Sequence, residues 1–486
     1  MAQGSFPQAG EFELLKAVIL ASSGKSIDIT PNVLHIAFFE DTTKHAVSGN
    51  ILFQNSFAAT SWGPLVGQEW LELRIKTQGF EDPETNINYT KNVLHIHSIE
   101  NRTIINNGIE MVLMNFITTD ILKNQRTKIF RSLKGSYSDI VKGILQGEID
   151  CKKDLYIEPT VGNKHITVPN MRPFDLINLC AREAISKEKG TPHYLFFETF
   201  RGYHFRSLQS LYPAKGKGGQ LEKPMMVYNA IADPGDNLIK SGSGRGTFDP
   251  VAGSEMVLEH EVVAASDSIM NFQTGVYAST LITHDIQNKQ FTTSVFNYLD
   301  EFSKENVLDD NPIFSGSPLE EGNKKSRVSD FPTRTFVQPT AIDDLKKRTD
   351  AYRPGGEPNN PFLALNPEQW LQKRTSRILQ TEQGFIVTIK VHGNTVVSAG
   401  DMIKLDLPLP MADSSEPAGA ESVKTDLYYK GTFFVKRIRH DFDFSIPRHT
   451  MRLTLVKDAL PTKLESDDNA FEKKSKQDGL IIEKFY

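Results

Sequence analysis

The stretch Gly67-Gln-Glu-Trp-Leu-Glu-Leu-Arg-Ile75 places a glycine and an acid ahead of strictly alternating apolar and charged side chains. A period of two sends successive side chains to opposite faces of a strand, so Leu71, Leu73 and Ile75 share one face while Glu72 and Arg74 share the other. Such a strand has one buried and one wet face, which points to an antiparallel sheet. Gly400-Asp-Met-Ile-Lys-Leu-Asp-Leu407 repeats the device with its own glycine, acid and alternation. Any glycine turn ahead of an exposed strand looks like this, so the echo alone does not establish a duplication.

The rest of residues 1–124 reads the same way. Ser26–Thr30 and Leu34–Phe39 are short, β-rich and bounded by Gly24 and Pro31, and Ile51–Phe53, Val93–His97 and Met111–Ile117 continue the pattern. An antiparallel sheet or barrel is expected. Beyond Asn124 the texture changes. Ser136, Asp139 and the apolar Ile140, Val141, Ile144 and Leu145 predict an amphipathic helix. A second helix is expected over 173–184, capped by Asn170, with Pro173 in its first turn and Phe174, Ile177, Leu179, Cys180 and Ala184 buried. Strands at 194–197 and 203–205 meet through Gly202, where a hairpin needs a positive φ. Residues 125–207 therefore read as an α+β unit between two β regions.

After Val227 the chain is irregular and glycine-rich, then returns to strands at 259–264, 275–283 and 291–297. Residues 303–361, polar and rich in Pro, Asp and Lys, are expected to form a surface excursion or a partner-binding arm. A helix over 366–381 with an apolar stripe of Trp370, Leu371, Ile378 and Leu379 follows, then strands at 385–391, 401–407, 431–439 and 450–456.

At 486 residues the chain exceeds one ordinary core. Its 39% apolar and 24% charged residues describe a globular protein. A net charge of −5 offers no long-range attraction to nucleic acid, and the basic stretch Lys436–His440 is short. No apolar run reaches the ~20 residues of a membrane helix, and the first residues have no apolar segment like that of a signal peptide, so assembly in the cytosol is expected. Cys151 and Cys180, far apart and outside any CxxC, are expected to be small buried hydrophobes.

Motifs that would carry chemistry fall short. His260-Glu261 opens a zinc-protease HExxH, but Ala264 stands where the second histidine belongs. His95 and His97 share a strand face without a third ligand. Ser241–Gly246 has the glycines of a phosphate cradle without the Lys-Ser/Thr ending, and no GxSxG occurs. Asp309-Asp310 and Asp343-Asp344 lie in polar runs and are expected in solvent. No catalytic, cofactor-binding or metal-binding residue is assigned, and no cofactor is expected. After charges at Glu465, Asp467, Asp468 and Lys473–Lys476 comes an apolar group, Leu480, Ile481, Ile482, Phe485 and Tyr486, too short to fold alone and assigned to partner binding.

Four segments carry a resemblance: Met171-Arg-Pro-Phe-Asp-Leu-Ile177, Tyr194–Leu208, Gly275–Phe302 (GVYASTLITHDIQNKQFTTSVFNYLDEF) and Val387–Leu407. With them the chain resembles baseplate hub proteins of contractile-tailed, T-even-like bacteriophages, which are similar to the hub part of type VI secretion VgrG spike proteins. The likeness runs over residues 10–460 in order and texture. It implies a mainly β fold of two tail-tube-like antiparallel β-barrel domains with a small inserted α+β domain. On that scheme 1–124 is the first part of barrel one, 125–207 the insert, and 208–265 the return to barrel one with its connection. Residues 266–302 and 362–460 form barrel two, 303–361 the excursion, and 461–486 a partner-binding extension. The implied function is a non-enzymatic homotrimeric adaptor that joins the sixfold tail tube to the threefold central spike and nucleates the tube. It would sit in the virion's tail baseplate after assembly in the host cytoplasm. Its partners would be tube or tube-initiator proteins, the central spike and other baseplate proteins, without membrane or sequence-specific nucleic-acid binding, the genome passing through the lumen. The competing class is a tail-associated peptidoglycan hydrolase built on a hub-like scaffold.

Overall fold

The computed structural model describes residues 9–21, 24–55, 65–77, 87–105, 109–212, 226–229, 239–240, 247–248, 255–264, 267–286, 289–313, 319–321, 324–326, 328–340, 367–407 and 429–462. The chain is mainly β, in largely antiparallel sheets with a smaller helical share, as the alternation requires.

Seven strands come first: β1 (Phe12–Leu20), β2 (Ser26–Asp28), β3 (Val33–Asp41), β4 (Ser48–Asn55), β5 (Trp70–Thr77), β6 (Ile87–Ile105) and β7 (Ile109–Thr118). They pair in the order β3-β4-β7-β6-β5-β1-β2. In β5, Leu71, Leu73 and Ile75 are buried and Arg74 and Lys76 exposed, as the alternation dictates. Strand β1 escapes sequence reading because a bulge between Leu14 and Lys16 shifts its register. The buried positions change from Phe12 to Ala17 and Ile19, and the period of two is broken. Phe38, Met114, Phe116 and Phe53 fill the core these strands share.

The middle unit contains α1 (Asp120–Arg126), β8 (Ser132–Gly135), α2 (Tyr137–Gly143), β9 (Asp154–Ile157), β10 (Lys164–Thr167), α3 (Pro173–Glu183), β11 (Tyr194–Thr199), β12 (Gly202–Ser207) and α4 (Leu208–Leu211). Ser136 caps α2, its hydroxyl accepting the Asp139 N–H. Helix α3 is capped differently from expectation. Asn170 sits at φ 52 outside the helix, and the Asn124 side chain accepts the Phe174 N–H at 2.8 Å. A cap supplied from another element leaves no local signature. Leu176, not the half-buried Leu179, joins Phe174, Ile177 and Cys180 against Tyr194, Phe196, Tyr203 and Phe205. Gly202 does hold a positive φ, 141°, and a Cβ there would lie 2.2 Å from the Asp154 carbonyl oxygen, so the parallel β9-β12 ladder demands glycine.

The remaining strands are β13 (Met226–Asn229), β14 (Ile239–Lys240), β15 (Thr247–Phe248), β16 (Val257–Ala264), β17 (Ala278–Asp285), β18 (Gln290–Asn297), β19 (Asn311–Pro312), β20 (Leu319–Glu321), β21 (Lys324–Ser326), β22 (Arg334–Thr340), β23 (Phe385–His392), β24 (Met402–Asp406), β25 (Gly431–Asp443), β26 (Arg448–Lys457) and β27 (Ala459–Leu460). Helices α5 (Ser268–Thr274), α6 (Tyr298–Phe302) and α7 (Pro367–Gln383) lie among them. A second core, with Val387, Ile389, Ile403, Leu405, Phe433 and Leu453, sits on β23 to β26. Three placements differ from the sequence scheme. In 208–265, expected to rejoin the first barrel, β13 and β16 pair instead with β24 and β23 of the second core. In 266–302, expected in the second barrel, β17 and β18 form a separate sheet with β22. Strand β22 lies in the expected surface excursion yet runs parallel to β17 over its length. Alternation identifies a strand but not its partner, and parallel neighbours are joined by crossovers that leave no local trace.

One strand unites the two cores. The first half of β25 pairs with β24, its second half pairs with β3 through Arg437↔Asp41 to Asp443↔His35, and β26 flanks both halves. A bulge between Val435 and Arg437 marks the changeover. Phe433 and Ile438 enter the second core and Phe442 the first, within a continuous 13-stranded sheet.

Candidate functional surfaces

The tempting motifs come apart in three dimensions. His260 and Glu261 are exposed on β16. His95 tilts against Trp70 at 5.1 Å while His97 faces solvent. Among the described residues no three His, Cys, Asp or Glu side chains converge as metal ligands. Cys180 is buried and Cys151 half-buried, both unpaired, and burial pushes their thiols up to about 12 and about 11. At neutral pH neither is a thiolate nucleophile. Ser241–Gly246, Asp343-Asp344 and the assigned partner-binding residues Leu480, Ile481, Ile482, Phe485 and Tyr486 lie outside the described residues.

Buried charge gathers instead where the cores meet. Glu40 of β3 is 1% exposed, and its two carboxylate oxygens accept the N–H of Phe200 at 2.7 Å and of Ala399 at 2.8 Å. Phe200 lies in the β11-β12 turn and Ala399 precedes β24, so one side chain fastens three parts of the fold. Burial is the main cause that raises the Glu40 carboxyl to about 7, against the pull of these two donors. Beside it Arg201 forms a bidentate pair with Asp401 at 2.9 and 2.8 Å, and Asp401 also accepts the Ser398 N–H. Glu198 makes a second fastening. It accepts the Val47 N–H and the Thr118 hydroxyl and pairs with Lys153, tying the middle unit to β7 and the turn before β4. Next to Phe200, His440 and His449 are buried in hydrogen-bond contact at 3.2 Å, and burial holds both well below the usual histidine range, so both are neutral.

Helix α7 is a polar strut, not the apolar stripe expected. Pro367, Gln372, Ser376, Arg377, Gln380 and Thr381 are its buried residues, while Trp370, Leu371, Ile378 and Leu379 are half-buried. Gln372 donates to the Ser279 carbonyl and Ser376 to the Val276 carbonyl, which seats the helix beside β17. Arg374 donates to the Tyr194 carbonyl of the middle unit. Arg377 pairs with Asp458 at 2.6 Å and donates to the Asn306 carbonyl. Burial opposes the Arg377 charge, but Asp458 and its neighbours prevail and raise its pKa. His193, pressed down by burial and then by Arg377 and Arg374, stands neutral beside Glu305. Asp309, expected in solvent, is buried and paired with Lys457 at 2.7 Å, and a Cβ at Gly431 would lie 2.5 Å from its carboxylate. Of the basic stretch, Lys436 is buried against Glu382, Arg437 pairs with Asp41 and Arg439 with Asp441. This chemistry clamps elements together.

Among the described residues, sheet edges and one sheet face remain open. Strands β2, β13 and β16 are the edges of the branched 13-stranded sheet, each with a single strand neighbour among the described residues, and Val262 and Val263 of β16 are exposed. On the β18-β17-β22 sheet Phe291 is 70%, Val337 68%, Val295 64% and the adjoining Ile286 59% exposed.

No family model matches the chain. It is 21% identical over 378 residues to the probable baseplate hub protein gp334 of Vibrio phage KVP40, an alignment spanning 77% of this chain and 80% of that protein. The resemblance to phage baseplate hubs thus has a curated counterpart over most of the chain. Among solved structures, a tail protein from Neisseria meningitidis MC58 aligns with a TM-score of 0.48 at 10% identity, covering 93% of this chain and 100% of that one. The 43 kDa tail protein of prophage MuSo2 from Shewanella oneidensis aligns with a TM-score of 0.47 at 8% identity, covering 91% and 98%.

Proposed function

We propose that the chain is a structural baseplate hub of a phage tail, a homotrimer that joins the sixfold tube to the threefold central spike and nucleates tube assembly. The sequence alignment to the Vibrio phage hub protein, over about four-fifths of both chains, is the observation that carries this reading. The fold is consistent with it. Two apolar cores on one sheet supply two tube-like units per chain, so three chains present six. The two ends of the sheet's long path, β2 and β16, are different surfaces, and β13 is a third edge on the branch through β24. A contact between unlike surfaces closes into a ring when the rotation allows, and pairing open edges also removes an aggregation hazard. On this reading the protein resides in the tail baseplate, assembles in the host cytoplasm and contacts tube, spike and other baseplate proteins without catalysing a reaction.

Native mass measurement of the purified chain tests it. A trimer at micromolar concentration is expected, because obligate interfaces typically bury ~2,000 Å² or more. A chain that stays monomeric there, or one that degrades purified peptidoglycan in a manner abolished by a single carboxylate substitution, overturns the reading.

A further inference from the structure

The outer face of the β18-β17-β22 sheet has no cover among the described residues. Registers Ile282↔Thr293, His284↔Phe291, Thr280↔Val295 and Ile282↔Val337 put these side chains on one face, which contains no Asp, Glu, Lys or Arg. Helix α7 holds the opposite face through Gln372 and Ser294. A contiguous apolar face left in water marks a docking surface, since each covered side chain returns its transfer free energy.

The occupant must be apolar and within reach. Leu480-Ile-Ile-Glu-Lys-Phe-Tyr486 supplies five apolar or aromatic side chains around a mutually neutralising Glu483-Lys484 pair. The described chain leaves at Thr462, just after β27, which pairs with β19, and the carbonyls of Leu460 and of the following Pro461 accept from Asn311. Two residues after Asn311, Ile313 packs against the cluster of Val276, Tyr277, Phe296 and Tyr298 at one end of β17 and β18. The point of departure is therefore the base of this sheet. Residues 463–479 reach roughly 55 Å at full extension, against the ~26 Å length of an eight-residue strand. A tether that spans its site raises the local concentration of what it holds to about the millimolar range, enough to fill a weak apolar site.

We propose that the segment Leu480–Tyr486 docks on the outer face of its own β18-β17-β22 sheet, covering Phe291, Val295, Ile282 and Val337. The sequence alone pointed this segment at a partner protein; the bare face is a nearer site. The inference stands or falls on a single chain, independently of whether three chains form a ring.

The test uses full-length protein, a double variant Ile481→Asp/Ile482→Asp, and a synthetic peptide of residues 478–486. The variant should exchange amide hydrogens faster over 278–297 and 334–340 than the wild type, and it should bind the added peptide. Wild type should not bind it, because the site is filled. Adding Val295→Asp to the variant should weaken peptide binding by roughly tenfold or more, and the milder Val337→Thr should weaken it by a smaller factor. Unchanged exchange, no peptide binding to the variant, equal binding to wild type and variant, or binding indifferent to both sheet substitutions overturns the proposal. Native mass measured on the same samples reports separately on the ring.

Discussion

The carboxylate of Glu40 accepts the backbone N–H of Ala399, 359 positions along the chain, at 2.8 Å. Its other oxygen holds Phe200 in the hairpin turn of the middle unit. Phe200 packs on the first core and Ala399 belongs to the second, so this carboxylate stands where three units touch. Backbone donors aimed at one fixed acceptor hold loops in register more strictly than apolar contact does, because a misplaced loop leaves a buried N–H unpaired. Such a fastening ties β3, the hairpin turn of the middle unit and the segment before β24 to one another.

Glu40 should give the protein a specific pH dependence. Its carboxyl titrates near 7 in the fold against an ordinary 4.5, chiefly through burial. The folded state therefore binds a proton that the unfolded state has lost. Its contribution to stability is complete below about 4.5 and is lost as pH rises through about 7. Between pH 6 and pH 8 this amounts to about 1 kcal/mol. Denaturant titrations of wild type and Glu40→Gln at both values should show that decrease in the wild type and its absence in the variant. Equal pH slopes would refute it.

Arg377 and Asp458, at 2.6 Å with side chains 5% and 2% exposed, form a buried pair. Arg377→Met strands the Asp458 charge and should cost about 3–5 kcal/mol of stability. Asp458→Leu should do the same by stranding arginine. The double variant should recover much of the loss, since removing both ions avoids the uncompensated charge. Unfolding free energies of the four proteins decide it, and strict additivity would count against the coupling.

What was legible in the sequence was whatever obeys a local period. Leu71, Leu73, Ile75 and Leu405 could be placed on their buried faces by alternation alone, and the Gly202 turn by its residue type. Strand β1 was not legible because its bulge breaks the period, nor was the face of α7, whose buried Gln372, Ser376 and Arg377 look solvent-facing to any hydropathy rule. The fastening residues Glu40, Glu198 and Asn124 gave no signal, since their partners lie 50 to 359 positions away. The apolar outer face of β17 and β18 looked like an ordinary strand pattern until its opposite face proved to be the one that α7 covers.

Gly202→Ala should disrupt the β9-β12 ladder while sparing the rest of the middle unit. The new methyl would meet the Asp154 carbonyl oxygen at 2.2 Å, and φ 141° is strained for any side chain. A loss of more than about 1 kcal/mol is expected, as for alanine at a position that requires positive φ. Hydrogen exchange should accelerate at 154–157 and 202–205 before it does at Phe174–Cys180. Uniform exchange across the unit would show that the ladder is not a separable element.

The last prediction contrasts neighbours on β24. Leu405 is fully buried in the second core, whereas Lys404 is exposed on the other face of the same strand. The inward face of β24 packs into that core, with Ile403 and Leu405 both fully buried, so a charge there has no solvent to which it could escape. Leu405→Asp removes a packed side chain and leaves an unpaired carboxylate in an apolar site, which should cost roughly 3 kcal/mol or more. Because β25 continues from this core into its pairing with β3, the damage should spread to exchange rates at 437–443 and 35–41. Lys404→Asp retains the alternation and should change stability by less than about 0.5 kcal/mol. Equal effects from the two substitutions would mean that β24 does not present its alternate faces to core and solvent, and would remove the basis for reading the second core as a tube-like unit.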